Sequence, residues 1–420
     1  MQPQKPKLFG DVKSFAAVMG FLAILFVIRA GFLYQDYQAF IHKPFFYTDA
    51  EVLFSYTKTK NNKTYQVLKL RSNEGLNFYT ISYQKKDFSR TRLRLQLLPD
   101  AQITFWGYLG VFFVKSRIKH SEPLAGTFKE GLLEAAASQH QNRALGSFYN
   151  AIFFAAPLEH ALREKINMLG VSHLVALSGF HLGILWGIVY GLLLLPYRIM
   201  QQRYFPYRHA LLDVGAVSIV CLGMYVWFVD FPPSLVRSFA MVLTGWTVLL
   251  LGVELLSFTF LASVVGALLA LFPSLSVSLS FWLSVAGVFY IFLVLHYAKN
   301  LSKQTVTLLA IPLGIFVLML PVVHAVFGMT TPYQLLSPLL SLLFVPFYPL
   351  VMVLHLLQWG GVFDGALEWL FDLPKEGKEI LLPLWAFGLY LLLSLGAIGS
   401  RHLFFAALSG ATGYGIYLFV

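Results

Sequence analysis

The sequence predicts a polytopic α-helical membrane protein of about ten spans, with an OB-like β domain outside the cytoplasm near its N-terminus. Three observations carry this. Charged residues make up 12% of the 420 positions, against roughly 25% in an ordinary soluble domain, and mean hydropathy is +0.68. The chain holds 39 Phe, 21 Tyr and 8 Trp, more apolar surface than a soluble monomer can bury. Residues 41–122 break that pattern with 14 Lys and Arg against six Asp and Glu, so most of the net charge of +11 sits in one fifth of the chain. The same figures exclude collagen-like, disordered and disulfide-stapled proteins. The single cysteine, Cys221, permits no internal disulfide and no Cys-based metal site.

Residues 1–40 form a cytoplasmic N-terminus and a first span. Lys5, Lys7 and Lys13 precede an apolar run at 14–33, long enough to cross roughly 30 Å of hydrocarbon. Lysines before a span favour a cytoplasmic N-terminus, and no cleavable signal pattern is evident. Residues 41–122 switch to period two. Leu93, Leu95 and Leu97 alternate with Arg92, Arg94 and Gln96, Val52, Phe54 and Tyr56 alternate likewise, and so do Tyr79, Ile81 and Tyr83. Asn61-Asn62 marks a tight hairpin turn. Short strands with a basic face predict a small barrel or sandwich, which the OB-fold fits. Lys69, Arg71, Arg92, Arg94 and Tyr79 are its DNA-binding candidates, because single strands need phosphate pairing with base stacking. Basic strands suit anionic lipid headgroups equally well.

Residues 123–169 read as helices too polar to span. Leu158, Leu162, Ile166 and Leu169 recur at helical spacing opposite Glu159, Arg163, Glu164 and Lys165, which predicts interfacial helices or helices packed on the spans. Residues 170–420 form a multi-span region, with spans near 174–195, 210–230, 234–253, 254–272, 277–297, 304–323, 334–357, 378–398 and 400–420. Arg198, Arg203 and Arg208 fall in one predicted cytoplasmic loop and Lys299 with Lys303 in another. The stretch 358–378 carries Asp364, Glu368, Asp372 and Glu376 against Lys375 and Lys378, and reads as a re-entrant or interfacial segment.

No G-x-x-x-x-G-K-[ST] is present, so the chain shows no nucleotide-driven motor. None of the eleven histidines stands in H-x-H-x-D or H-E-x-x-H. No catalytic residue, metal or cofactor is therefore predicted. The most unusual segment is 170–183, GVSHLVALSGFHLG. Polar groups in a membrane segment are costly and face a cavity or each other, and Ser178-Gly179 is placed to interrupt the helix. On a straight helix His173 and His181 would stand about 80° and 12 Å apart, too far to chelate one ion. Close packing through Gly and Ser explains the segment as well. A third reading makes Ser178 a nucleophile with His181 at i+3, similar to rhomboid proteases, although Ala176 stands where their glycine would. Pro233, Ser234 and Arg237 mark a helix start, with Ser234 as its N-cap, that would hold an anion, unless Arg237 simply pairs with Asp230 or another acid. Prolines at 312, 321, 346 and 349 kink later spans.

HLVALSGFHLG at 173–183 resembles the hallmark of the ComEC family of competence proteins, H-L-L-A-[IV]-S-G-L-H-[VL]-G, departing at Val175, Leu177 and Phe180. PPSLVRSFAM resembles its P-S-x-x-R-A-x-x-M block, with Ser238 in place of alanine. FWLSVAGV resembles F-Q-L-S-F-x-A-x, with Trp282 replacing glutamine. Phe327-Gly328, Ser337-Pro338-Leu339 and Val345-Pro346 resemble the late block, with Ser341 where asparagine is common. The resemblance implies a channel of the bacterial inner membrane that passes single-stranded DNA. His173, Ser178, Gly179, His181, Pro233, Ser234, Arg237 and Ser284 then become candidates for the path. It also implies membrane lipids, a periplasmic DNA-receptor protein and a cytoplasmic translocase or strand-coating protein as partners. Many members add a metallo-β-lactamase-like domain, and with no H-x-H-x-D-H here, strand degradation is expected from elsewhere. The alternatives are a small-molecule or lipid-intermediate transporter and an intramembrane serine hydrolase using Ser178.

Overall fold

The computed structural model describes residues 9–60, 63–84, 86, 88, 91–124, 126, 128–250 and 257–420, so Asn61-Asn62 lie outside the described residues. The chain divides into two units, one of Asp11–Thr127 with Ser263–Leu279, the other of Phe128–Ala262 with Ser280–Val420 and the N-terminal Met1–Gly10.

In the first unit α1 (Val12–Ile41) is capped by Asp11, whose carboxylate accepts the Ser14 amide at 2.9 Å. Phe21, Ile24, Val27, Ile28 and Phe32 stand exposed along it, as on a lipid-facing span. At 1.5 Å per residue its length is about 45 Å, beyond the roughly 30 Å of a hydrocarbon core. Its last turns therefore serve the β unit. Tyr37 and Phe40 enter the β core, and the Tyr37 hydroxyl donates to the Ile103 carbonyl at 2.7 Å.

Six strands follow: β1 (Phe46–Lys60), β2 (Lys63–Ser72), β3 (Asn77–Ser82), β4 (Thr91–Leu98), then, after α2 (Phe105–Leu109), β5 (Val111–Phe113) and β6 (Lys115–Pro123). The sheet order is β5-β3-β2-β1-β4-β6. Its two edges, β5 and β6, are consecutive in the chain and parted only by Val114, so the sheet closes on itself. The Thr80 and Ser116 hydroxyls meet across that closure at 2.8 Å. Leu68, Leu70, Phe78, Leu93, Leu95 and Leu97 are fully buried inside, each worth about 1.5–3 kcal/mol of transfer free energy.

One expected alternation fails. A bulge between Val52 and Phe54 shifts the register, pairing Val52 with Leu70 but Phe54 with Lys69. An extra residue reverses the facing of everything after it. Val52 therefore points inward while Phe54 and Tyr56 point out.

The second unit begins with α3 (Phe128–Ala137), α4 (Arg143–Phe154), α5 (His160–Met168) and α6 (Ser172–Val175). Then come α7 (Gly179–Tyr204), α8 (Ala210–Phe228) and α9 (Pro233–Leu250). The helix α10 (Phe258–Leu271) runs from this unit into the first, and α11 (Leu279–Tyr297) follows it. Next, α12 (Lys303–Thr305) passes through a π-helical segment (Val306–Ala310) into α13 (Ile311–His324). The chain ends with α14 (Ser337–Leu356), α15 (Asp364–Asp372), α16 (Leu384–Gly396) and α17 (Arg401–Phe419).

Among the described residues six helical segments are long and apolar enough to cross a membrane: Val12–Ile41, Gly179–Tyr204, Ala210–Phe228, Leu279–Tyr297, Lys303–His324 and Pro332–Leu356. This is fewer than the ten expected. The runs at 254–272 and 378–398 contain helices of only 14 and 13 residues, about 20 Å long. The 19 residues of α17 open on Arg401-His402 and include three glycines and a threonine, which lower their apolarity. The run at 234–253 extends into 251–256, outside the described residues.

Leu158, Leu162, Ile166 and Leu169 are all buried. With Phe148, Tyr149 and Ile152 of α4 they join α7, α8, α9, α14 and α15 in the largest core. A second core unites α11, α13, α16 and α17. The acidic stretch 358–378 contains α15, whose Asp364, Glu368 and Asp372 recur every four residues along one face. They bond to His140 at 2.9 Å, Asn142 at 2.8 Å and Lys165 at 2.5 Å. The surplus of acid is thus met by partners from before 170.

Candidate functional site

The segment GVSHLVALSGFHLG is two helices, not one. The short α6 ends at Val175, Ala176 and Ser178 are extended, and α7 starts at Gly179. His173 and His181 therefore sit on separate helices, and the straight-helix separation does not apply. The turn before α6 depends on Gly170, whose φ is +69° and where a Cβ would meet the Gln334 side chain at 3.2 Å.

Hydroxyls from the late block hold this turn from the other side. Thr331 donates to the Met168 carbonyl at 2.6 Å and Ser337 to the Gly170 carbonyl at 3.1 Å. Ser341 donates to the Ser337 carbonyl at 2.8 Å, so it accepts from His173 Nε2 at 3.1 Å. Beyond the break, Gly179 gives room to α9, where a Cβ would lie 3.3 Å from the Ser238 hydroxyl. His181 is fully buried. Its ring lies edge-on to Phe344 at 5.1 Å and Tyr348 at 5.0 Å. Nδ1 is 3.5 Å from the Ser178 hydroxyl, and Nε2 has no partner among the described residues. A serine nucleophile needs a close base that is itself oriented by a third group. Here the contact is long and the ring's far nitrogen bare.

The backbone of α9 starts at Pro233, which puts Ser234 within the helix and not at its cap, and the side chains of Pro233, Ser234 and Arg237 lie outside the described residues. The turn before it holds Asp230 at φ 65° and Phe231 at φ 51°, two successive left-handed residues without glycine's freedom. Asp230, one of the acids open to Arg237, is bonded to Lys129 at 2.5 Å. Ser284 is half-buried on α11, and its neighbours Leu283 and Ala286 pack into the second core. Three of the four motif blocks thus meet at one place, and the block holding Ser284 belongs to the other core.

On the β unit the bulge sorts the outer face into two halves. Phe54, Lys69 and Tyr79 stand side by side on β1, β2 and β3, with the Lys69 ammonium 5.9 Å from the Tyr79 ring centre. Tyr56 lies beside Phe54 at 5.7 Å, and Tyr65 beside Tyr83 at 6.2 Å. The other half alternates in sign. Glu51 stands between Arg71 and Arg92, Glu122 is opposite Arg92 on its far side, and Asp49 is opposite Arg94. Opposite charges across neighbouring strands attract, and Arg92 also donates to Asn73 at 2.8 Å. Of the five β-domain candidates, Lys69 and Tyr79 lie in the aromatic half and the three arginines in the balanced half.

The family model for the competence protein matches residues 155–412, more than half of the chain. The chain belongs to the competence protein family. The match takes in all four motif blocks, and membership places this competence protein in DNA uptake for transformation, as a multi-pass membrane protein of the ComEC kind. No curated protein and no solved structure matches it.

Sequence reasoning missed a second polar group in this unit: His140, His355 and Asp364, with Gln139 and Tyr149 around them. The signal was present in the four-residue spacing of the acids at 364, 368 and 372, which reads as one helical face needing partners. Among the described residues no group of three or more His, Cys, Asp or Glu could hold a metal ion.

Proposed function

We propose that this competence protein is an inner-membrane channel passing single-stranded DNA into the cytoplasm during natural transformation. The observation that carries the reading is the convergence, around one broken helix, of His173, Ser178, Gly179 and His181 with residues 331–348 and the start of α9. A polyanion cannot cross hydrocarbon unshielded, and polar side chains with irregular backbone persist in membrane proteins where they line a path. The start of α7, which no side chain caps, is suited to phosphate, whereas at α9 the Leu235 and Val236 amides already donate to the Pro232 carbonyl. Arg237, in the first turn or so of α9, favours an anion contact there.

In this reading α9, α10, α16 and α17 join the six longer segments to make ten membrane helices. The N-terminus is cytoplasmic, and the closed β unit is an OB-like domain on the outer side. Its Phe54, Lys69 and Tyr79 row offers stacking and phosphate neutralisation together. A periplasmic receptor delivers the DNA, and a cytoplasmic translocase or strand-coating protein supplies the motion, the channel itself doing no chemistry.

The test follows fluorescent double-stranded DNA in a competent null strain complemented with wild type or Arg237→Ala. DNA should stall outside the inner membrane in the null and reach the cytoplasm only with wild type. Normal uptake in the null would remove DNA as the cargo. Unchanged uptake with a well-expressed Arg237→Ala would end the phosphate role at α9.

A further inference from the structure

His140, in the turn between α3 and α4, and His355, in the last turn of α14, face each other through their Nε2 atoms at 3.0 Å. Both outer nitrogens are committed. His355 Nδ1 lies 2.7 Å from the Val351 carbonyl, an acceptor only, so this nitrogen carries a hydrogen. His140 Nδ1 lies 2.9 and 3.0 Å from the two oxygens of Asp364, the geometry of one N–H shared by a carboxylate. With both Nδ1 atoms protonated, two neutral rings would point lone pairs at each other. A 3.0 Å separation is a hydrogen bond only if one further proton sits between them.

The surroundings suit a charge there. The His140 side chain is fully buried and that of Asp364 is 21% exposed, so the carboxylate both balances the proton and gives it a route to water. The Tyr149 ring stacks on His140 at 4.4 Å and 8°, a cation–π geometry. Burial and the Asp364 carboxylate push the Tyr149 phenol well above its ordinary value, so it stays neutral. Glu368, one turn along α15, is held by Asn142. From the α3 side Gln139 bridges the His355 carbonyl at 3.1 Å and the Gly360 amide at 2.8 Å.

We infer that His140 and His355 form a binding site for a single proton, countered by Asp364, which clasps the junction of α14 and α15 onto α4. The sign of its pH dependence follows. An unfolded imidazole releases its proton at about pH 6.5, so a proton kept between the two rings beyond that point makes folding a proton-binding step. Stability therefore falls as pH rises, by up to about tenfold in the folding equilibrium per pH unit, until the native pair also lets go. Asp364→Asn removes this requirement. The amide N–H donates to His140 Nδ1, His140 Nε2–H donates to His355 Nε2, and the chain is satisfied without an extra charge.

The test uses full-length protein in detergent, comparing thermal midpoints of wild type and Asp364→Asn from about pH 6 to about pH 10. Wild type should lose stability relative to the variant as pH rises, and the variant should lack that component. Because the variant could fail to fold, wild type labelled with 15N-histidine supplies a second reading: one ring protonated on both nitrogens at neutral pH. Equal alkaline losses in the two proteins would overturn the inference. So would two neutral rings in wild type, or a bound metal ion whose chelation alters these histidine signals.

Discussion

His181→Phe separates a functional histidine from a packed one. The ring stands edge-on against the stacked rings of Phe344 and Tyr348, fully buried, with Nε2 unpartnered among the described residues and a 3.5 Å contact from Nδ1 to Ser178. An unsatisfied buried polar group costs about 1–3 kcal/mol. Phenylalanine keeps the planar shape and removes that cost, giving up at most about 0.5–1 kcal/mol from the long hydrogen bond. Its slightly larger ring adds about 1 kcal/mol of overpacking. The variant should therefore lie between about 1 kcal/mol less and about 2 kcal/mol more stable than wild type, while transformation falls at least about tenfold at equal abundance. Denaturant unfolding in detergent reads the first quantity, and transformation frequency normalised to membrane protein level reads the second. A loss of more than about 2 kcal/mol, with transformation tracking abundance, would refute the reasoning and return His181 to a packing role.

Two further substitutions probe the rest. On the β unit, Lys69→Ala and Tyr79→Ala should each weaken binding of a short single-stranded oligonucleotide by about 1–3 kcal/mol. The lysine change should also flatten the salt dependence. Arg92→Ala, between Glu51 and Glu122, should do much less, and equal effects at all three positions by fluorescence anisotropy would count against the division of this face. At the clasp, Gly360→Ala places a Cβ 2.6 Å from Gln139 Oε1 and 2.9 Å from His355 Nε2. It should cost about 1–3 kcal/mol by overpacking, seen as a lower thermal midpoint at every pH.

What the sequence reveals depends on whether the deciding interaction is local. Leu93, Leu95 and Leu97 alternate cleanly because β4 has no bulge, and all three are buried. Val52, Phe54 and Tyr56 present the same period but are split by an extra residue that only pairing with β2 defines. Span length is a local property and was legible for α1, α7, α8, α11, α13 and α14. The shorter α10 and α16 lie in equally apolar runs, and where such a helix stops is settled by its tertiary neighbours. At the site, the break around Ser178-Gly179 is written in residue types. The convergence of Thr331, Ser337 and Ser341 on 168–173 joins residues more than 160 positions apart, which periodicity cannot signal. The same holds for His140 with Asp364 and His355.

These distant contacts share one element. Ser341, Phe344, Tyr348, Val351 and His355 recur at steps of three and four, which places them along one face of α14. From its start to its end that face touches His173 through Ser341, His181 through Phe344 and Tyr348, and His140 through His355. Pro346 and Pro349 lie inside the same helix. Each removes a backbone hydrogen bond to the residue four earlier, so the middle of α14 bends more readily than its ends. Both ends are instead fixed by side chains, the first by the hydroxyl ladder at 331–341 and the last by the clasp with Asp364. A helix weakened at its centre and pinned at both ends moves chiefly by bending there, against His181. The buried His181, its Nε2 unpartnered among the described residues, therefore packs on the part of α14 that yields most easily, where a small shift would change what Nε2 can reach.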